Sequence, residues 1–344
     1  MTNSSAVLVL GGAGYIGSHT CKALACAGFQ PVCFDNLTLG HRDFVRWGPL
    51  VTGEIADADA IYQACQSYNV VAAIHFAAFA SVGESVEYPA KYYQNNVAGT
   101  LGLLTGLLRA GVTKMVFSSS CAVYGNPAEQ PINENTRPMP VNPYGMSKLM
   151  IEHVLSDYDR AYYLRSMALR YFNACGADPD SELGELRDAE THLIPRAMLR
   201  LQGHLDAFSV FGADYPTPDG TAIRDYIHVT DLAEGHVLAL RYLLNGGQST
   251  VINLGTGRGH SVHQVLDEIS KVTGRAIPAA IGHRRPGDPP VLIADPARAS
   301  EVLGFCPKYS DLSTIIRSAW SWHLKAHPAR DSDEKRVGIL KGAT

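Results

Sequence analysis

The run Ala6-Val7-Leu8-Val9-Leu10 passes directly into Gly11-Gly12-Ala13-Gly14-Tyr15-Ile16-Gly17, and a helical pattern follows from Ser18 to Leu24. A strand, a glycine turn and a helix start in that order build a pyrophosphate site, because the amides of the helix N-terminus face the anion. Gly11 allows the turn out of the strand, Gly14 a close approach of phosphate to backbone, and Gly17 close packing of helix on strand. The spacing is G-x-x-G-x-x-G, not the commoner G-x-G-x-x-G. A second apolar run, Pro31-Val32-Cys33-Phe34, ends in Asp35, eighteen positions after Gly17. A carboxylate there accepts hydrogen bonds from an adenosine ribose and repels a 2′-phosphate, so the pattern predicts NAD rather than NADP. The alternative, an ordinary turn with a surface Asp, requires both features to fall in register by chance.

Further apolar runs recur at Leu50–Glu54, Ala72–Phe76, Met115–Ser119 and Met167–Tyr171. Helical stretches lie between, including Ser18–Ala27, Ala58–Gln66, Asn95–Ala110 and Tyr144–Tyr158. Continuous apolar strands alternating with amphipathic helices predict an α/β fold, a doubly wound parallel sheet covered on both faces, with ligands outside the carboxyl ends of the strands. After residue 172 Gly, Pro and Asp become frequent, which suits a smaller C-terminal lobe closing over a substrate. Val251–Leu254 reads as a strand returning to the main sheet. The expected division is a cofactor domain over 1–173 joined by 222–256, a substrate lobe over 174–221 and 257–330, and a polar tail over 331–344.

The 344 residues, 46% hydrophobic and 18% charged, can bury a sizeable core. A formal net charge of −4 without a basic block speaks against nucleic acid as a partner. No apolar stretch reaches membrane-spanning length, and the chain enters its first strand without a signal peptide. Seven scattered cysteines read as reduced thiols, so a cytoplasmic protein is expected. The thirteen histidines show no zinc spacing with cysteine. His323 and His327, four apart, read as a polar helix face, and no metal is expected.

Tyr144-Gly145-Met146-Ser147-Lys148 follows Asn142-Pro143 and opens a helix. Tyr144 and Lys148 then share one helical face, one turn apart. A phenol with a pKa near ~10 is a poor base at neutral pH. An ammonium beside it, with the charge of an oxidised nicotinamide, would lower that value. Ser118-Ser119-Ser120 ends the fifth strand, where a hydroxyl can share a proton with the tyrosine; turn capping is the alternative role, weaker for Ser120.

Taken together, GGAGYIG, HFAAFASVGESV (75–86), NNVAGT (95–100), SSSCAVYG (118–125), NPYGMSK (142–148) and LRYFNACGAD (169–178) resemble the extended short-chain dehydrogenase/reductase family. GTAIRDYIHVTDLAEGH (220–236), NLGTGRGHSV (253–262) and RRPGD (284–288) narrow the resemblance to its UDP-hexose 4-epimerases, over about residues 6 to 325. The resemblance implies NAD-dependent interconversion of UDP-glucose and UDP-galactose by transient oxidation at sugar carbon 4, in a homodimer. Tyr144 would be the base, assisted by Ser120 and tuned by Lys148. Gly11, Gly14, Tyr15, Ile16 and Gly17 would hold the pyrophosphate of NAD. Asp35 and Asn36 would bind the adenosine ribose, with Ile55 beside the adenine after Glu54, which stands where the family usually has Asp. Phe76, Ala77, Ala78 and Asn95 would line the cofactor; Ala80 stands where the family often has a lysine. Lys148 would hold the nicotinamide ribose and Phe172 would pack at the nicotinamide.

On the substrate side the resemblance assigns Ser120, Asn173, Leu193, Phe208, Arg224, Arg285 and Asp288, with the arginines facing the diphosphate. His192 stands where some members have Asn, and Leu292 would border the sugar's 2-position. The dimer would form through the helices around Asn95–Ala110 and Tyr144–Tyr158, with Leu101, Leu104, Leu108, Leu149 and Met150 facing outward; packing on the sheet is their other possible role. Related chemistries remain open at this level. UDP-N-acetylglucosamine and UDP-pentose 4-epimerases and UDP-sugar decarboxylases share these motifs. Nucleotide-sugar 4,6-dehydratases carry a Thr-Asp-Glu run where this chain reads Ser120-Cys121-Ala122. A non-catalytic NAD sensor would tend to lack the tyrosine or lysine, and both are present here.

Overall fold

Alternation of side chains along the first strand, Val7 and Val9 to one side and Leu8 and Leu10 to the other, divides the core into two layers. The computed structural model describes residues 4–285 and 288–328. The strands are β1 (Ala6–Leu10), β2 (Gln30–Asp35), β3 (Leu50–Thr52), β4 (Val70–His75), β5 (Lys114–Ser120) and β6 (Arg165–Tyr171), then β7 (Asn173–Cys175), β8 (Ser209–Phe211) and β9 (Ile223–His228). β10 (Thr250–Leu254), β11 (Gly259–Ser261), β12 (Ala280–Gly282) and β13 (Val291–Leu292) follow. The main sheet has the order β10-β6-β5-β4-β1-β2-β3, every pair parallel. It is the doubly wound α/β sheet read from the apolar runs, and its strand order reverses between β1 and β4.

Helices α1 (Tyr15–Cys26), α2 (Ala58–Tyr68), α3 (Val82–Glu87), α4 (Pro89–Tyr92), α5 (Gly99–Arg109) and α6 (Pro143–Tyr162) belong to the first half. The second half holds α7 (Leu193–Leu201), α8 (Val229–Leu244), α9 (Val262–Thr273), α10 (Ala297–Leu303) and α11 (Leu312–Ala326). Leu8, Leu10, Phe34 and Phe117 meet Leu103 and Leu107 of α5 and Ile151 and Leu155 of α6 on one face. Val7, Val9, Ile74 and Val116 meet Leu24 of α1 and Leu240 of α8 on the other. Helix α1 begins at Tyr15, three residues before the apolar pattern suggests, because extended Gly14 serves as its N-cap without a side chain. Leu104, expected on an outward face, is fully buried, and Leu108 and Leu149 pack on the core; the helical period turns them to the sheet and leaves Leu101 and Met150 exposed.

A second sheet is built on β9, which pairs with β7, β11 and β13, while β8 and β12 pair separately. Its core joins Ile194 and Met198 of α7, Val265 and Ile269 of α9, and Ile315 and Ile316 of α11. Helix α1 ties this layer to the main sheet. Its Tyr15 hydroxyl donates to the Gly176 carbonyl at 2.6 Å. Its Lys22 ammonium reaches Asp178 at 2.8 Å, Glu182 at 2.7 Å and Asp180 at 3.1 Å. The three carboxylates lie close enough together to suit a metal ion, and the lysine ammonium occupies their centre. Among the described residues no helix is long and apolar enough to cross a membrane. The tail over 331–344 lies outside the described residues.

Five histidines are buried in these layers: His19, His75, His228, His236 and His323. His19 and His236 face the carbonyl four residues earlier through Nδ1, and their Nε2 atoms meet no protein partner. A proton added at Nε2 would be buried without an acceptor. Burial accordingly pulls His75 down to about 3 and the other four to about 4. The unfolded chain, with histidine near ~6.5, therefore binds protons that the native chain refuses. Stability is present above about pH 6.5 and is lost as the pH falls toward about 4, by roughly 2 kcal/mol per histidine at pH 5. Urea midpoints should drop steeply between pH 7.5 and pH 5, less so in His236→Gln; a midpoint constant over that range would contradict this account.

Candidate active site

The carboxyl ends of β1 and β4 separate at the strand-order reversal, and the glycine turn sits in that crevice. Gly11 takes φ +77°, and a Cβ on it would stand 2.7 Å from the Ala77 nitrogen. A Cβ on Gly17 would stand 2.1 Å from the Gly11 carbonyl oxygen, so only glycine lets α1 start this close to β1. A Cβ on Gly14 would meet only the Gly11 oxygen, at 3.3 Å, and would project into the open space above the turn. No side chain caps α1 and its first turn holds no acidic residue, which leaves its positive end to an anion. Asp35, buried at the end of β2, accepts from the Ala13 amide at 3.0 Å and the Leu37 amide at 2.8 Å. Asn36 donates to the exposed Glu54 at 3.0 Å, next to buried Ile55. These features fit a dinucleotide laid across the β1–β4 crevice, with Phe76, Ala77 and Ala78 on its wall.

The candidate reacting groups are set by how α6 begins. Asn142 accepts from the Gly145 amide at 2.8 Å and Pro143 occupies the first turn, which fixes the helix start. Gly145 lies against the Ala122 carbonyl, where a Cβ would be 2.5 Å away. This brings Tyr144 against the short turn Cys121–Tyr124 that follows β5. Ser120 caps that turn, accepting from the Ala122 amide at 3.1 Å, and its hydroxyl is near enough to Tyr144 to favour the phenolate. Lys148 donates to the Ser118 carbonyl at 2.8 Å and lies 5.8 Å from the Tyr144 ring centroid. Ser120, Tyr144 and Lys148 are all buried and adjacent.

Burial acts against the charged form of both partners. It pushes the Tyr144 phenol up to about 12, with the Ser120 hydroxyl and the Arg187 charge pulling the other way. It draws Lys148 down to about 7, opposed by the charge of Glu152. The lowering of Tyr144 expected from Lys148 is thus absent in the chain alone, because desolvation outweighs the nearby cations. Ser118 and Ser119 have structural bonds instead: the Ser118 hydroxyl meets Tyr171 at 2.5 Å and Ser119 donates to Glu152 at 2.5 Å.

Near the turn after β5, where its charge acts on Cys121, Arg224 of β9 bonds Asp288 at 2.6 Å and the Pro289 carbonyl at 2.7 Å. The Arg285 guanidinium lies 4.5 Å from the Phe211 ring centroid. Asn173 is exposed at the start of β7. His192 and Leu193 open α7, where His192 pairs with Glu185 at 2.7 Å, and that carboxylate raises its pKa. Leu292 packs with Phe172, Val123 and Tyr124 in one small apolar cluster. Phe208 does not reach the cleft. It is buried among Ile194, Met198 and Ile269, and the exposed aromatic of that strand is Phe211, three residues on. Both are Phe in one apolar run, so only the direction of the strand separates them.

Three further residues escaped sequence reasoning. Asn96 is fully buried and holds both ends of the Phe79 backbone at 3.0 Å as well as Ser147 at 3.2 Å. It lies beside Asn95 in the π-helical segment Tyr93–Ala98, a wide turn often found near functional sites. Arg187 sits on the loop before α7, pairs with Glu185 at 3.0 Å and acts on Tyr144 from outside the sheet. Glu152 joins α6 to β5 and β6. For Asn96 the NNVAGT run is a signal; Arg187 has none.

Comparison with known proteins agrees with this geometry. Residues 7–255 match the NAD dependent epimerase/dehydratase family. A UDP-glucose 4-epimerase of Rhizobium leguminosarum bv. trifolii is 51% identical over 93% of this chain and 98% of that protein. The crystal structure of a UDP-glucose 4-epimerase from Brucella ovis in complex with NAD superimposes with a TM-score of 0.90, at 56% identity over 92% of this chain and 98% of that one. One from Bifidobacterium longum, in complex with NAD+ and UDP, gives 0.88 at 37% identity over 93% and 98% of the two chains.

With an adenosine ribose at the end of β2, the buried Asp35 carboxylate would oppose a 2′-phosphate. Asp35→Ala should reduce the preference for NAD over NADP by on the order of tenfold. Equilibrium binding of the two nucleotides measures it, and an unchanged preference would place the ribose contact elsewhere.

Proposed function

The chain belongs to the NAD dependent epimerase/dehydratase family, and on that premise we propose that it interconverts UDP-glucose and UDP-galactose at sugar carbon 4, with Tyr144, Ser120 and Lys148 as the reacting group. The observation that carries this reading is the convergence of these three buried side chains at the end of β5, with the Arg224 charge near Cys121 of the turn that follows. When bound, NAD accepts a hydride from sugar carbon 4 and later returns it, so it ends each turnover as it began.

Tyr144 takes the proton of the 4-hydroxyl while Ser120 bridges the two oxygens, and the same proton goes back to the sugar on reduction. The phenol must first lose its own proton against the effect of burial. The Arg187 charge favours that loss, and Lys148, 5.8 Å from the Tyr144 ring centroid, would add to it when charged. Inversion requires the keto sugar to present its other face, so the hexose has to be held loosely and the UDP firmly. Arginines suit the diphosphate because their planar fork matches its oxygens. The exposed face of Phe211 offers a stacking surface for a base. Binding energy then resides on the part of the substrate that does not react.

A homodimer through α5 and α6 would cover Leu101 and Met150, which are exposed apolar residues on those helices. We place the chain in the cytoplasm on its reduced cysteines.

The purified protein should develop a ~340 nm absorbance band on adding UDP-galactose without external cofactor, since the hydride stays on the bound nucleotide. Tyr144→Phe should keep fold and cofactor but lower kcat by roughly two to four orders of magnitude, the range for a positioned acid/base. Turnover like that of the unmutated chain would remove Tyr144 from the mechanism.

Leu292 tests the substrate range. It is buried against Phe172, aliphatic, and without a hydrogen-bonding group. An N-acetyl group displacing volume there costs ~1–3 kcal/mol, enough for about tenfold to hundredfold selectivity for the plain hexoses. Leu292→Ser should raise the specificity constant for UDP-N-acetylglucosamine and Leu292→Tyr should abolish that activity. Equal specificity constants for acetylated and plain substrates in the unmutated chain would refute this role.

A further inference from the structure

Tyr144, Lys148 and Glu152 stand four residues apart on α6, so they share the helix face that covers β5 and β6. The Glu152 carboxylate is buried, with 7% of the side chain exposed, and both strands reach it. Ser119 of β5 donates to Oε1 at 2.5 Å. Arg170 of β6 donates from Nε to Oε1 at 2.9 Å and from Nη2 to Oε2 at 2.5 Å. Ser119 and Arg170 are register partners in the parallel pair, so the pleat places both on the α6 side. Arg170 also donates to Tyr124 at 3.0 Å, and Tyr124 to Asn253 of β10 at 2.7 Å. A buried ion pair of this kind is weak evidence for stability, because desolvation offsets the attraction. It is better evidence for imposed geometry, since a bidentate fork fixes direction as well as distance.

We propose that Glu152, clamped by Arg170 and Ser119, is a positioning residue that keeps the Lys148 ammonium charged and directed at the end of β5. This rests on the reading of Tyr144, Ser120 and Lys148 given above. The positions of the bonds support it: Ser118 supplies the carbonyl that receives Lys148, and the next residue along β5 supplies the hydroxyl that holds Glu152. The other titratable groups packed around Lys148 carry no compensating charge near neutral pH. His75 of β4 is drawn down to about 3, Tyr144 is pushed up to about 12, and Tyr171 of β6, bonded to the Ser118 hydroxyl, is pushed up as well. Glu84 and Lys91, on α3 and α4 against the same helix, pair with each other at 2.6 Å. Arg170 of β6 carries a like charge, and Glu152 stands bonded to it.

Titration of the chain labelled with 15N-lysine, followed by NMR without cofactor or substrate, reads this directly; Lys148→Met assigns the Lys148 signal. Glu152→Gln keeps the shape but leaves Arg170 unbalanced, so the Lys148 midpoint should fall by about one pH unit or more. Arg170→Met leaves Glu152 unbalanced, and the midpoint should rise. In turnover, the alkaline limb of kcat should move with those midpoints while KM changes little. A structural pin alone would lower the urea midpoint without opposite displacements of one lysine. A folded Glu152→Gln or Arg170→Met chain whose Lys148 titrates unchanged, or a shift of both in one direction, would overturn the proposal. Where one variant does not fold, the other decides. Failure of the functional reading would show separately, as an unmutated chain that does not turn over UDP-galactose while the Lys148 titration still responds to Glu152.

Discussion

The closeness of Gly17 to the Gly11 carbonyl governs the position of everything around the crevice. Any side chain on Gly17 would overlap that oxygen, at 2.1 Å for the Cβ alone. With glycine there, α1 begins directly at the end of β1 and its uncapped positive end opens on the place where strand order reverses. The same placement lets Tyr15 reach the Gly176 carbonyl and Lys22 reach the carboxylates after β7. One helix therefore both faces the cofactor crevice and holds the second sheet beside it. Moving α1 outward by one methyl group would loosen both.

The reacting group illustrates a different balance. Excluding water from Tyr144 and Lys148 disfavours the charged form of each, raising one pKa and lowering the other. A site that needs a phenolate beside an ammonium is thus opposed by its own burial, and the surrounding charges must offset it. Glu152 acts on the lysine and Arg187 on the tyrosine, and both come from outside the three residues proposed to react. The low dielectric that makes this costly also makes each added charge effective.

Much of this was legible in the chain. The central strands of the main sheet lie on apolar runs, because a parallel strand covered on both faces buries most of its side chains. The glycine turn, Asp35, the Tyr144–Lys148 spacing and Ser120 are local patterns, and local patterns survive in one dimension. Phe208 and Leu104 show the limit. An exposed and a buried phenylalanine three residues apart look alike in sequence, as do the outward and inward leucines of an apolar helix. Their sides are set by neighbours distant in the chain, such as Met198 and Ile269 for Phe208.

The sequence by itself determined the fold class, the glycine turn between β1 and α1 and the one-turn spacing of Tyr144 and Lys148, since each follows from a pattern along one strand or one helix. Tertiary structure alone decided which second layer these meet. Arg187, Asn96 and the Glu152–Arg170 pair owe their places to contacts between β5, β6, α6 and a loop after β7 that are far apart in the chain. It also decided the protonation of Tyr144 and Lys148, because desolvation depends on how completely the folded chain encloses a group, and no local pattern of residues carries that.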